Sequence, residues 1–145
     1  MPPSRSQLIA TANAFVAAYN KWTVPDVLSI RSPTCKHHLL PGTKLPSRNN
    51  QEFAEFLERI IPIIRNFRLH VVDTTPPVVD VEARKVMMHL KSSAETDVGP
   101  YENEYFFVLT VSEDGEKIDE VVEFLDTAYT AEFMERLSKT GQTLA

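Results

Sequence analysis

Glycine is scarce in this chain: its 145 residues include only 4. None is arranged as a Gly-rich phosphate loop, so a nucleotide cofactor is not expected. There is a single cysteine, Cys35, which excludes an internal disulfide framework and fits a reducing compartment. No Cys/His spacing resembles a zinc site, and no metal is expected. Net charge is -5 with no basic block, which argues against nucleic acid as the partner. No apolar run approaches the ~20 residues needed to span a membrane. The opening Met1-Pro-Pro-Ser-Arg-Ser6 lacks the apolar segment of a secretory signal, so a cytoplasmic protein is expected. What is plentiful is apolar side chain, at 43% of residues. The length suits one domain over 1–145, with a core over about 5–137 and a flexible tail over 138–145.

The periodicity changes once along the chain. Leu8, Ile9, Ala12, Phe15, Val16, Tyr19 and Trp22 recur at helical spacing, which predicts a helix over 5–22 with Ser4 and Gln7 at its start. Pro25 opens a short second helix that Pro33 ends. Cys35–Leu40 is a short strand, with Cys35, His37 and Leu39 on one face, and 42–49 is a polar loop. Asn49 and Glu52 start a helix carrying Phe53, Phe56, Leu57, Ile60, Ile61 and Ile64, which Pro62 kinks or ends. After Asn66 the period is strand-like: Phe67–Thr74, a hairpin of Val78–Val81 and Lys85–Ala94, and a long closing hairpin. A terminal helix covers Thr130–Leu137. Helices first, then a mostly antiparallel run of strands, predict an α+β fold with helices over a curved sheet and one enclosed pocket.

The closing hairpin carries acids where a simple amphipathic strand carries apolar residues. Its strands, Pro100–Val111 and Lys117–Asp126, flank an Asp114-Gly115 turn. A two-residue loop there sets Glu113 against Glu116, Glu104 against Leu125, Phe106 against Glu123 and Val108 against Val121. Alternation then places Glu104, Phe106, Val108, Val121, Glu123 and Leu125 on one face, and Asn103, Tyr105, Phe107 and Asp126 on the other. Glu104 and Glu123 become diagonal neighbours, roughly 7–8 Å apart at the backbone. On a dry face two such carboxyls are pushed apart in pKa, which suits a proton donor and an acceptor. A loop one residue longer or shorter flips one strand.

The element order resembles the nuclear-transport-factor-2-like fold of the SnoaL-like proteins, a cone-shaped α+β barrel. Phe15-Val-Ala-Ala-Tyr-Asn-Lys-Trp22 resembles the end of that family's first helix. Asp114-Gly-Glu-Lys-Ile118 and Glu123-Phe-Leu-Asp126 resemble its last-strand signature. Arg31-Ser-Pro-Thr-Cys-Lys-His-His-Leu-Leu-Pro41, Val98-Gly-Pro-Tyr-Glu-Asn-Glu-Tyr105 and Phe124-Leu-Asp-Thr-Ala-Tyr129 resemble small fungal isomerases and cyclases of austinol-, terretonin- and paraherquonin-type meroterpenoid pathways. The resemblance implies a cofactor-free homodimer that rearranges a polyketide–terpenoid skeleton by acid/base chemistry. Similarity to limonene epoxide hydrolase implies a catalytic carboxylate at Glu123 and a pocket face holding Glu104 and Phe106. The Arg and Asp that hydrolase carries on the preceding strand have no match here.

The expected catalytic residues are therefore Glu104, Glu123, His37 and His89. His37 is preferred to its neighbour His38 because its family-like Cys-x-His spacing points there. His89 shares a mixed face with Met87, Lys91 and Ser93. Histidine titrates near neutral pH and suits base or donor work. The expected substrate contacts are Phe106, Val121, Leu125, Met87, Tyr19 and Trp22, with no metal among them. Blander roles compete for each: solvated rim carboxylates paired with Lys91 or Arg68, surface histidines, core aromatics. The expected activity is a cofactor-independent isomerase or cyclase on a hydrophobic small molecule. A dehydratase, a pericyclase or a dimeric ligand-binding module on the same scaffold are the alternatives.

Overall fold

The computed structural model describes residues 2–42 and 46–144; part of the polar loop expected over 42–49, residues 43–45, lies outside the described residues. The described residues form four helices and seven strands. Helix α1 spans Arg5–Tyr19 and starts where the Ser4 hydroxyl accepts the Gln7 N–H at 3.2 Å. Its face of Leu8, Ala12, Phe15, Val16 and Tyr19 is buried against the sheet. Helix α2 spans Val24–Leu28. Helix α3 spans Asn50–Ile60 and opens with a reciprocal cap: Asn49 accepts the Glu52 N–H at 2.9 Å, and the Glu52 carboxylate accepts the Asn49 N–H at 3.0 Å. It stops before Pro62, whose missing N–H cannot continue the ladder.

The strands are β1 (Arg31–Leu40), β2 (Arg65–Val71), β3 (Val78–Asp80), β4 (Lys85–Thr96), β5 (Gly99–Tyr101), β6 (Glu104–Val111) and β7 (Ile118–Leu125). They make one curved sheet ordered β1-β7-β6-β4-β2, with β3 and β5 also paired to β4. β1 runs parallel to β7 and every other pairing is antiparallel. Helix α4 covers Thr127–Ser138, three residues earlier than expected, because the Asp126 carboxylate caps it by accepting the Tyr129 N–H at 3.1 Å. Beyond it the chain returns to the core at Leu144.

Two differences from the sequence expectations reshape the site. Pro33 does not end a helix; it sits inside β1, which starts four residues earlier than expected. β1 is an edge strand with an irregular register between Arg31 and Lys36, where a missing N–H costs no ladder bond. Arg31 thereby joins the strand and is buried.

The closing hairpin is the second. Near the turn the expected alignment holds: Val111 pairs with Ile118, and the Ser112 N–H reaches Lys117 O at 2.8 Å. The next pair is Thr110 with Glu120, which leaves Asp119 as an extra residue in β7. This bulge shifts all later pairs by one, to Leu109–Val121, Phe107–Glu123 and Tyr105–Leu125. Glu123, Val121 and Leu125 therefore share the inner face with Tyr105, Phe107 and Leu109. Glu104, Phe106 and Val108 go to the outer face.

Candidate active site

Alternation along β1 aims Cys35, His37 and Leu39 inward, as the sequence predicts. His37 is 3% exposed. Its backbone is fixed on one side by β7 and on the other by Arg48, through N–H to O bonds of 2.9 and 3.0 Å. The Phe53 ring from α3 lies over its imidazole, 4.5 Å between centroids and 12° from parallel. Arg31 Nη1 donates to His37 Nδ1 at 3.0 Å, and its Nη2 to the Tyr19 hydroxyl at 3.4 Å. The Arg31 guanidinium also covers Phe53 at 4.1 Å.

These contacts fix the tautomer. A guanidinium only donates, so Nδ1 must be the bare nitrogen. The proton therefore sits on Nε2, which donates to Glu123 Oε1 at 2.8 Å. Burial is the main cause that lowers the His37 pKa, to about 4, and the Arg31 charge adds to it; the hydrogen bond to Glu123 only partly opposes them. At neutral pH the row reads guanidinium, neutral imidazole, carboxyl oxygen. Burial likewise pushes the Tyr19 phenol far up, so its hydroxyl stays protonated behind Arg31.

Glu123 and His37 open onto a cavity of about 280 Å³. Its walls are mainly apolar: Trp22, Phe53, Phe56, Leu57, Ile60, Ile64, Phe67 and Phe107, closed by Met134 of α4 and Leu144. Tyr19, Trp22 and Leu125 line it as expected, whereas Val121, fully buried, supports it from the core. Trp22 has a left-handed backbone, φ 50°, and is held there by its Nε1–H to Ile64 O at 2.7 Å and by stacking on Phe67 at 4.4 Å.

Tyr101 and Tyr105 also line the cavity, and the expected register had turned Tyr105 away from it. Asn103, 4% exposed, spends both amide protons on Tyr101 Oη (2.8 Å) and Thr130 Oγ1 (2.9 Å). Tyr101 therefore accepts from Asn103, and its hydroxyl also interacts with that of Tyr105. Tyr105 Oη shares a 2.8 Å bond with Ser92 Oγ, which also accepts the Asn103 N–H at 3.1 Å. Burial raises the pKa of both phenols, so both stay protonated.

The remaining predicted residues lie elsewhere. Glu104, His89, Phe106 and Met87 occupy the outer face, because the bulge at Asp119 turns Glu104 and Phe106 away from Glu123. Glu104 is 50% exposed and pairs with His89 Nε2, whose Nδ1 meets Thr75 Oγ1 at 2.8 Å. The expected Glu104–Glu123 couple does not form. Each acid instead has its own histidine, on opposite sides of the sheet. His38 faces outward to Glu120 at 3.2 Å, and His70 meets Ser93 at 3.1 Å. Among the described residues no group of three or more His, Cys, Asp or Glu could hold a metal ion, and no helix is long and apolar enough to cross a membrane.

No protein-family model matches the sequence. Austinoid biosynthesis cluster protein J of Aspergillus calidoustus is 38% identical over 138 residues, which is 94% of this chain and 84% of that protein. Among solved structures, the BvnE pinacolase from Penicillium brevicompactum superposes with a TM-score of 0.91 at 34% identity, over 95% of this chain and 99% of that one. A Shewanella denitrificans protein of the SnoaL-like polyketide cyclase type shares the fold at a TM-score of 0.70 and 9% identity, over 88% of this chain and 96% of that one.

Proposed function

We propose, since the chain belongs to the family of the fungal austinoid-cluster proteins and has their SnoaL-like fold, that it is a cytoplasmic, cofactor-independent isomerase or cyclase of meroterpenoid biosynthesis. The observation that carries this reading is the Glu123 carboxyl, held by a buried neutral His37 at one wall of an apolar cavity. Glu123 removes a proton from carbon beside a substrate carbonyl, or from a hydroxyl. Tyr101 and Tyr105 donate to the oxygen on which negative charge develops. The Glu123 carboxyl exchanges that proton with solvent and delivers one at another position after the skeleton has rearranged. Proton and electron counts close, so the cycle consumes nothing. His37 and Arg31 act as positioning residues that aim the carboxylate. That the similar BvnE is a pinacolase supports skeletal rearrangement. A binding module has no need of a carboxyl braced in this way.

The test uses the compound that accumulates when the gene is deleted in its host. Purified protein in deuterium oxide should convert it to a product of the same composition carrying deuterium at one exchanged position. Loss of water would mark a dehydratase, and no conversion a binding module. Glu123→Gln should stay folded and lose roughly a hundredfold or more in turnover. Full turnover by both Glu123→Gln and His37→Gln would overturn the assignment.

The same chain is proposed to act as a homodimer. Phe106 and Phe124 are paired across β6 and β7 on the outer face, 42% and 49% exposed, beside Val108, Val122 and Met87. A second copy burying that face removes the exposed apolar area from water.

A further inference from the structure

The cavity contains a cation whose hydrogen-bonding edge no described residue uses. Arg48 precedes α3, and its backbone is locked to His37 by two hydrogen bonds. Its guanidinium lies over the Phe56 ring at 4.2 Å, and both residues line the cavity. Stacking uses the face of the guanidinium and none of its five N–H donors. No described residue accepts a hydrogen bond or forms an ion pair with the Arg48 side chain. Arg31 differs, since its Nη nitrogens are committed to His37 and Tyr19. Glu123 is not the missing partner: it pairs with His37. Burial and the nearby Arg59 oppose the Arg48 charge, while Glu123 and Glu52 favour it, and a guanidinium stays charged under such influences. A planar cation held flat against a cavity wall, with no acceptor of its own, is half of an oxygen-anion site.

We propose that Arg48 anchors an anionic oxygen of the substrate, a carboxylate or the enolate oxygen of a 1,3-dicarbonyl, and so selects acidic members of an otherwise apolar class. This rests on reading the cavity as the substrate site, but not on Glu123 acting as acid and base. One end of the molecule is fixed at the α3 wall while the rest lies along the aromatic side chains. Glu123 is thereby spared the approach of a freely placed anion, whose charge Arg48 offsets.

Two bicyclic probes test the anchor without turnover: 1-naphthoate and 1-naphthalenemethanol, which differ in the carboxylate. Trp22, the sole tryptophan, lines the cavity and reports occupancy by its emission. The wild type should bind the carboxylate roughly tenfold or more tightly than the alcohol at low salt, the gain of one charged hydrogen-bonded contact. R48M should lose that preference and keep its affinity for the alcohol within about twofold, whereas R48K keeps part of it. R48Q replaces R48M if the latter does not fold. Glu123→Gln should retain or strengthen the preference, so an inactive function assay and a failed anchor remain separable. A folded R48M or R48Q that binds naphthoate like the wild type would overturn the proposal, as would a wild type that prefers the alcohol.

Discussion

The neutral state of His37 can be tested by stability alone. In the fold its pKa is lowered to about 4, chiefly by burial; in an unfolded chain a histidine titrates near 6.5. Between these values the unfolded state binds a proton that the native state does not, so stability rises with pH across that window. The contribution is fully present above about pH 7, falls as pH drops through 6.5 toward 4, and changes no further below that. With about 1.36 kcal/mol per pKa unit, the whole swing is about 3 kcal/mol. His37→Gln is the reference variant. Glutamine can still accept from Arg31 and donate to Glu123, but it does not titrate. Urea unfolding followed by Trp22 fluorescence, for both proteins from pH 4 to 8, gives the difference in stability. The other three histidines are common to both proteins, so their contributions cancel. The wild type should lose about 3 kcal/mol relative to His37→Gln on acidification. Nitrogen NMR at neutral pH should find the proton on Nε2. A flat difference, or a wild type that gains on the variant as pH falls, would mean that the imidazole is charged in the fold and that the row has been misassigned.

Two further predictions concern the walls of the site and the opposite face of the sheet. Tyr101→Phe and Tyr105→Phe should each lower kcat roughly ten- to hundredfold with a smaller change in KM, because the lost donor acts on charge that develops during reaction; unchanged kcat in both would remove the phenols from the mechanism. Phe124→Glu puts a charge on the exposed apolar pair of β6 and β7. It should convert a dimer to a monomer by light scattering with little loss of folding, and a wild type that is already monomeric would refute the interface.

Much of this architecture was legible because it follows from periodicity. The stripes from Leu8 to Tyr19 and from Phe53 to Ile60 place both long helices, and the Asn49–Glu52 cap fixes where α3 begins. The inward aim of His37 follows from alternation with Cys35 and Leu39. Arg31 was hidden because a proline normally punctuates a helix, and nothing local marks an edge strand that can absorb one. Arg48 lies in a loop, where no period exists to read. Alternation put Tyr105 on the wrong face, and Tyr101 carried no signal of its own.

That last displacement traces to one residue whose signal was present. Ile118 and Val121 are both fully buried, yet they are three apart with Asp119 and Glu120 between them. Strict alternation cannot bury both on one face, so β7 must bulge at this point or leave one of them wet. Leaving a large aliphatic side chain exposed costs on the order of 2 kcal/mol, comparable to a distorted ladder. The bulge buries both, and its consequence is electrostatic. Without it Glu104 and Glu123 would share one dry face as like charges. With it Glu123 turns inward to His37, and Glu104 turns outward to His89. Each histidine thus takes one acid, and the inner pair lies in an apolar cavity where an oriented carboxyl has the most to do. Deleting Asp119 should therefore harm more than the local turn: either β7 slips and Glu123 leaves the cavity, or Ile118 leaves the core. Proteolysis-resistant, soluble protein that by NMR still places Glu123 beside His37 and keeps Ile118 buried would show that the bulge is not what separates the two acids.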